Sequence, residues 1–235
     1  MQSDEHMKDK SPIILALDTP DVASAIALIE STREVISIYK LGLEFFLAHG
    51  KPGVQSIQTR FPDIDIFLDL KLHDIPNTVA GACSSIAELK PRFLTVHAAG
   101  GAQMVQAAVS QLPQSSITAV TVLTSLTSQE LEELGLPQDP TALAIALAHR
   151  AVKAGATSVV CSPHEASVIR RSLGETVTII TPGVRPEGSS KDDQNRVMTP
   201  LDAINQGANY VVVGRPITQA ADPRLAALTI RNSLA

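Results

Sequence analysis

Eight short apolar runs alternate with amphipathic segments along nearly the whole chain, and this alternation limits the possible folds more than any other feature of the sequence. Each run reads as a β-strand, and strands this apolar are typical of parallel sheets buried on both faces. Strict alternation of strand and helix predicts parallel strands joined by crossover helices. The predicted strands cover residues 12–18, 35–42, 64–71, 92–98, 116–123, 157–162, 176–183 and 209–215.

The amphipathic segments predict a helix after each strand. Three of these segments carry a start signal in which proline follows serine or threonine: Thr19-Pro20-Asp21, Ser162-Pro163 and Thr199-Pro200. The predicted helices cover residues 22–32, 44–60, 77–89, 103–112, 141–153, 164–172, 200–206 and 223–232.

Eight strand–helix units in 235 residues match a closed (β/α)₈ TIM barrel, for which roughly 250 residues is typical. An open doubly wound sheet is the alternative, but it usually carries a glycine-rich loop after its first strand, where this chain has Leu17-Asp18-Thr19-Pro20. No linker-like composition divides the chain. We therefore expect a single α/β barrel domain over residues 12–235, preceded by a disordered lead at residues 1–11.

Composition narrows the class of protein. Hydrophobic residues make up 44% of the chain and aromatic residues only 3%, so the core must consist mainly of Ala, Leu, Ile and Val. The net charge of −5 argues against a nucleic-acid partner, and no apolar run approaches the roughly 18 residues that span a membrane. Cys83 and Cys161 occur without a CxxC motif, which predicts two buried free thiols in a reducing compartment, and the N-terminus lacks the apolar core of a signal peptide. We expect a cytoplasmic protein.

Three charged residues interrupt the apolar third strand and its end, in the segment IDIFLDLKLHDIPNTV. Asp69 and Lys71 are two residues apart, so on an extended chain their side chains leave the same face. Asp74 follows just before Ile75-Pro76, where a helix is expected to begin. Buried charges are costly unless they are paired. The cluster is therefore either a structural ion pair beside a solvated charge or a chemical site, and we favour the latter.

A barrel places its chemistry at the carboxyl ends of the strands, and polar side chains gather there in this sequence. A single such residue could be a local cap or salt bridge, whereas so many on one rim indicate a site. They are Asp18, Lys40, Asp69, Lys71, His97, Thr124, Ser125, Arg185 and Arg215.

The loops after the seventh and eighth strands, TPGVRPEG and VVVGRPIT, predict a phosphate site, because barrel enzymes often bind phosphate there. Gly183 and Gly214 allow close approach of the backbone, and Arg185 and Arg215 can hold phosphate oxygens in a bidentate way. Gln194 adds a neutral donor. An ordinary turn is the alternative for either loop alone, but two such loops side by side favour phosphate.

The charged set at the rim suits proton transfer. Lys71 lies between carboxylates, so we expect it to stay protonated and to act as a proton donor rather than as a base or Schiff-base nucleophile. Carboxylates near the reacting end of an anionic substrate would repel it. Such repulsion helps only if binding elsewhere, here at the phosphate, offsets it.

The motif DLKLHDIPNTV, together with ALDTP, YKLG, VHAAGG, LTS, TPGVR and VVVGRPI, resembles the orotidine 5′-phosphate decarboxylase family of the bacterial type. The similarity runs from about Ile13 to the last helix, in the family's order and spacing. It implies a (β/α)₈ homodimer without cofactor that converts orotidine 5′-phosphate to UMP and CO₂, the last step of de novo pyrimidine synthesis.

The resemblance also implies roles for individual residues. Lys71 is the expected donor to C6 of the pyrimidine, with Asp69 near the departing carboxylate and Asp74 reaching it from the partner subunit. Lys40 is expected to bridge the carboxylates and bind the ribose. The expected substrate-binding residues are Asp18, Lys40, Asp69, Thr78 across the dimer interface, Thr124, Ser125, Arg185, Gln194, Gly214 and Arg215.

Other readings of the site remain open at this point. His73 is expected to be structural or supporting, and His97 is as consistent with a structural role as with a direct one. We expect no metal among Asp69, Asp74, His73 and His97, since Lys71 lies between them. The rival functions are a metal-dependent 3-keto-gulonate-phosphate-type decarboxylase or a ribulose-phosphate epimerase, and a non-catalytic sensor of phosphate ligands.

Overall fold

In the computed structural model, which describes residues 11–136, 139–186 and 198–234, eight parallel strands close into a barrel in chain order, with β1 paired to both β2 and β8. The closed barrel is confirmed and the doubly wound alternative is excluded. Apart from Ser11, the predicted N-terminal lead lies outside the described residues. The strands are β1 (Ile13–Ala16), β2 (Ile38–Gly42), β3 (Asp65–Leu72), β4 (Phe93–His97), β5 (Ser116–Val120), β6 (Ser158–Val160), β7 (Thr178–Thr181) and β8 (Tyr210–Val213).

Helices cover the outside of the barrel, and each of the eight predicted helices has a counterpart. Two short helices, α5 and α9, were not predicted. The helices are α1 (Val22–Thr32), α2 (Leu43–Arg60), α3 (Pro76–Ile86), α4 (Ala102–Gln111), α5 (Ser128–Glu133), α6 (Pro140–Lys153), α7 (Ala166–Leu173), α8 (Pro200–Asn205), α9 (Arg215–Thr218) and α10 (Pro223–Asn232), and short 3₁₀ turns lie at Ala87–Leu89 and Ala98–Gly100.

The predicted start signals hold at two helices and fail at a third. The side chains of Asp21 and Thr199 accept backbone hydrogen bonds and cap α1 and α8. Helix α7 begins later than predicted, because residues 163–165 form a turn in which the Glu165 carboxylate accepts a hydrogen bond from the Ser162 amide at 3.0 Å. Helix α2 is kinked at Gly50, whose φ of 57° is left-handed.

Strand side chains alternate between the barrel interior and the helix layer. Aliphatic residues dominate both, as the composition predicts, but the interior also holds an aromatic group made by Phe67, Phe93 and Tyr210. Phe93 contacts the other two rings edge-on, with centroids 5.6 and 5.9 Å apart. Phe93 and Tyr210 begin their strands, so this group fills the interior from the amino-terminal end and leaves the carboxyl end open.

Both cysteines are buried and free, as predicted. Burial raises the pKa of the Cys83 thiol to about 11. Within the described parts of the chain, no helix is long and apolar enough to cross a membrane.

Candidate active site

A charged network lies at the carboxyl ends of β1, β2 and β3, with Asp69 at its centre. One oxygen of Asp69, Oδ1, lies 2.8 Å from Lys71 Nζ, and the other, Oδ2, lies 3.4 Å from Lys40 Nζ. Lys40 Nζ also contacts Asp18 Oδ1 at 3.0 Å. Asp69 is 9% exposed, whereas the Lys71 side chain is 33% exposed and faces the barrel mouth. Two ammonium groups and two carboxylates therefore alternate along one continuous network.

The neighbours of Asp69 and Lys40 in the network favour the charged forms of these two residues. Burial alone would raise the pKa of Asp69, but Lys40 and Lys71 outweigh it and keep this pKa below its ordinary value. Burial alone would lower the pKa of Lys40, but the carboxylates of Asp69 and Asp18 raise it above its ordinary value. The buried centre of the network, Lys40 and Asp69, is thus a preorganised pair of opposite charges rather than a neutral hydrogen bond.

The backbone at Lys71 departs from the extended strand that the sequence predicts. Leu68 pairs with Leu94 and Leu72 with Val96, so β3 contains a bulge between these pairs. Lys71 has a φ of 46°, a left-handed conformation that costs a residue other than glycine of order 1–3 kcal/mol. The expected proximity of Lys71 and Asp69 is still present, but it depends on this bulge.

Thr95 is a residue of the network that sequence analysis missed. It lies on β4 with no exposed surface, and its hydroxyl donates to Asp69 Oδ1 at 3.0 Å while accepting from the Lys71 backbone amide at 2.8 Å. A signal was available: Thr95 is a polar residue two positions before His97 in an apolar strand. It therefore shares the inward face with a residue that sequence analysis did place at the rim.

Beside the network, a cavity of about 190 Å³ opens at the barrel mouth. Its polar corner is formed by Lys40, Asp69 and Lys71, and Thr124 lies on its wall. The remaining walls are apolar, so the cavity suits a flat ring that presents one reactive edge to the charges. The apolar lining consists of Phe67, Val120, Val122, Leu123, Val160, Cys161, Pro182 and Val212.

A second concave region continues from this cavity toward the loops after β7 and β8. It is lined by Gly183, Arg185, Gly214 and Arg215, and it shares Asp18, Lys40 and Asp69 with the network. Arg185 is only 8% exposed, and its Nη1 donates to the Val184 carbonyl at 3.0 Å. Both predicted arginines therefore border one pocket beside the network. The predicted donor Gln194 lies outside the described residues.

Three predicted residues stand apart from the cavity. Asp74 and Thr78 are exposed at the start of α3, and the Asp74 carboxylate accepts a hydrogen bond from the Ile75 amide at 2.6 Å. Ile75 is an apolar side chain that is 66% exposed. Ser125 is exposed and is not among the residues that line the cavity.

The two histidines near the network contact each other. The rings of His73 and His97 lie 5.2 Å apart. Burial lowers the pKa of His97, and the nearby His73 and Lys71 lower it further. These surroundings therefore favour the neutral form of the His97 ring. Among the described residues, no group of three or more His, Cys, Asp or Glu side chains is arranged to hold a metal ion.

Comparisons with known proteins agree on one family. The family model described as "Orotidine 5′-phosphate decarboxylase / HUMPS family" matches residues 11–230. The chain is 49% identical over 224 residues to the orotidine 5′-phosphate decarboxylase of Thermobifida fusca (strain YX), covering 95% of this chain and 96% of that protein. It is 46% identical to the enzyme of the same name from Anaeromyxobacter sp. (strain K), covering 97% and 100%. The crystal structure of orotidine 5′-phosphate decarboxylase from Lactobacillus acidophilus superposes with a TM-score of 0.82 at 33% identity, covering 95% of this chain and 99% of that one.

Proposed function

The chain belongs to the orotidine 5′-phosphate decarboxylase / HUMPS family, and we propose that it is the carboxy-lyase of pyrimidine biosynthesis that converts orotidine 5′-phosphate to UMP and CO₂. The observation that carries this proposal is the position of Lys71. Its ammonium lies 2.8 Å from Asp69 at the mouth of an apolar cavity, and two Gly-Arg loops border the adjoining region.

The substrate is proposed to extend across both concave regions. Its phosphate meets Gly214 and the guanidinium groups of Arg185 and Arg215, together with Gln194. The ribose lies beside Asp18, which lines the second region, and beside Lys40, which lines both. The pyrimidine ring enters the apolar cavity and meets Thr124, with Ser125 beside it, so that its C6 carboxylate points at Asp69 and Lys71.

In the proposed reaction, the bond between C6 and the carboxylate carbon breaks, CO₂ leaves, and the electron pair stays on C6. The Lys71 ammonium transfers a proton to C6, and the resulting amine recovers a proton from water. The buried Asp69 carboxylate repels the substrate carboxylate but not neutral CO₂, so the network favours the transition state over the bound substrate. Fixed charges need no reorganisation during the reaction. In difficult cases the total transition-state stabilisation that an enzyme supplies, from all sources together, is on the order of 20 kcal/mol.

We propose further that the enzyme is a cytoplasmic homodimer in which Asp74 and Thr78 act across the interface. Both residues are exposed and lie outside the network of their own chain, and the neighbouring Ile75 offers apolar surface for a partner to cover. Asp74 from the partner would add a third carboxylate beside Lys71.

The proposed reaction uses no cofactor. A metal requirement therefore distinguishes it from the alternative activities on the same fold, a metal-dependent sugar-phosphate decarboxylase or an epimerase. The experiment is to follow the ultraviolet absorbance of orotidine 5′-phosphate after addition of the purified enzyme, with and without excess chelator. We expect the absorbance to fall at the same rate in both samples and UMP to accumulate. Turnover that stops in chelator and returns with added Mg²⁺ favours the metal-dependent alternative, and no turnover in either sample refutes the proposed activity.

A further inference from the structure

Thr95 lies directly beneath the charged network, and neither the proposed chemistry nor the proposed binding contacts give it a role. Its hydroxyl accepts a hydrogen bond from the Lys71 amide at 2.8 Å and donates one to Asp69 Oδ1 at 3.0 Å. The same Asp69 oxygen accepts from Lys71 Nζ at 2.8 Å. These contacts close a ring that holds Lys71 at both its backbone and its ammonium group.

The bulge makes this ring important for the geometry of Lys71. Regular pairing between β3 and β4 is interrupted between Leu68 and Leu72, so the hydroxyl of Thr95 satisfies an amide in a stretch where the ladder is broken. A lysine side chain is a flexible four-carbon stem, so the direction of its ammonium depends on how its two ends are held. Thr95 has no exposed surface and therefore acts only through its neighbours.

We propose that Thr95 is a positioning residue, whose hydroxyl fixes the left-handed backbone of Lys71 and the orientation of Asp69 and thereby aims the Lys71 ammonium at the reacting carbon. This inference rests on the proposed function and deepens it. Thr95 has no exposed surface and lines neither concave region, so we expect its effect on the reaction step and not on binding.

The test compares Thr95→Val, which keeps the shape and removes the hydroxyl, with Thr95→Ser, which keeps the hydroxyl. Misplacement of a reacting group by about 1 Å costs about 100-fold in rate, so we expect kcat of Thr95→Val to fall about 10- to 100-fold. The KM should change by less than about threefold, because the phosphate contacts are untouched. Thr95→Ser should recover kcat to within about threefold of wild type.

Thr118→Val is the matched control. Thr118 lies opposite Thr95 in the register of β4 and β5, is equally buried, and its hydroxyl lies 2.6 Å from that of Ser158, away from the network. It should lower the melting temperature about as much as Thr95→Val while leaving kcat within about twofold of wild type. If Thr95→Val does not fold, Thr95→Ala replaces it, since Ala and Ser differ by the hydroxyl alone.

The outcomes separate the two proposals. Wild-type enzyme that does not decarboxylate orotidine 5′-phosphate overturns the proposed function, and this inference with it. Active wild-type enzyme with a Thr95→Val variant as fast as Thr118→Val overturns the role of Thr95 alone. A Thr95→Ser variant as slow as Thr95→Val also overturns it, because the hydroxyl would then not be the group that matters.

Discussion

Replacing Lys71 by Ala and by Gly separates its chemistry from its backbone geometry. Both variants lose the proposed proton donor. General acid catalysis contributes about 10²- to 10⁴-fold, and loss of one preorganised group that stabilises a developing anion costs a further 10²- to 10³-fold or so. We therefore expect kcat to fall at least about 10⁴-fold in both variants, which corresponds to about 5.4 kcal/mol of transition-state stabilisation.

The stabilities of the two variants should differ even though their activities do not. Both lose the ion pair with Asp69, which is worth about 1 kcal/mol or less because Lys71 is partly exposed. Alanine keeps the strain of a φ of 46°, about 1–2 kcal/mol, whereas glycine relieves it at a cost of about 0.5–1 kcal/mol in backbone entropy. The Gly variant should therefore melt about 1–4 °C above the Ala variant.

The assays are loss of ultraviolet absorbance for activity and thermal unfolding followed by circular dichroism for stability. Lys153→Ala, at an exposed lysine near the end of α6, is the control and should match wild type in both. Turnover above about 1% of wild type in either Lys71 variant would contradict the role of Lys71 as proton donor. A Gly variant less stable than the Ala variant would refute the argument from backbone strain.

Further variants test the phosphate site, the dimer and the electrostatics of the network. Arg215→Ala should raise KM about 10- to 100-fold, the loss of a charge-assisted contact, while the exposed Arg171→Ala should not; an unchanged KM in Arg215→Ala removes the phosphate assignment. The Lys71→Ala and Asp74→Asn variants should each be inactive, and a mixture unfolded and refolded together should regain about a quarter of wild-type activity. Half of the dimers are then hybrids, and each hybrid has one site with both Lys71 and Asp74 intact. No recovery argues against a site shared between subunits. Asp69→Asn should lower the free energy of unfolding at pH 7 by about 3 kcal/mol, because it leaves buried Lys40 poorly paired. Because the pKa of Asp69 is lower in the folded state, its charge stabilises the fold at pH values above the ordinary pKa of 3.8, and this stabilisation is lost as the pH falls through the folded pKa. Urea titrations should therefore show the free energies of unfolding of wild type and Asp69→Asn converging in acid. A difference that stays constant with pH contradicts the assigned electrostatics.

The barrel could be predicted because it depends on the period of the hydrophobic pattern. Each strand is a short continuous apolar run because both its faces are buried, and each helix is amphipathic because only one of its faces is buried. The two patterns therefore differ clearly, and they alternate eight times. The short helices α5 and α9 were missed because six and four residues are too few for a helical period to emerge. The kink at Gly50 had a signal that the predicted helix over residues 44–60 did not use, because Gly50, Pro52 and Gly53 are helix breakers.

The charged members of the candidate site were predictable from their residue type, whereas their support Thr95 was marked only by its position two residues before His97. Asp69 and Lys71 are conspicuous because they are charged residues in an apolar strand, and the fold rule for barrels collects Lys40 and Asp18 at the same rim. Thr95 is a small polar residue that occurs commonly in strands, so its type alone carries no signal. Its contacts depend on the bulge in β3, and a bulge has no mark in the sequence when its left-handed residue is lysine rather than glycine.

The size of that bulge has a consequence for what changes the strand tolerates. Between the paired positions, β3 advances four residues, from Leu68 to Leu72, while β4 advances two, from Leu94 to Val96. The excess is an even number, so inward and outward parity survives the irregularity and Leu72 still packs against the helix layer. Deleting a single residue here would reverse the alternation of inward and outward side chains, so that Leu72 would point into the mouth of the barrel. Deleting two residues would restore an uninterrupted ladder of hydrogen bonds between β3 and β4. A deletion of two residues would therefore give a barrel that lacks the bulge and Lys71 with it. A deletion of one residue would not keep the apolar face of β3 intact.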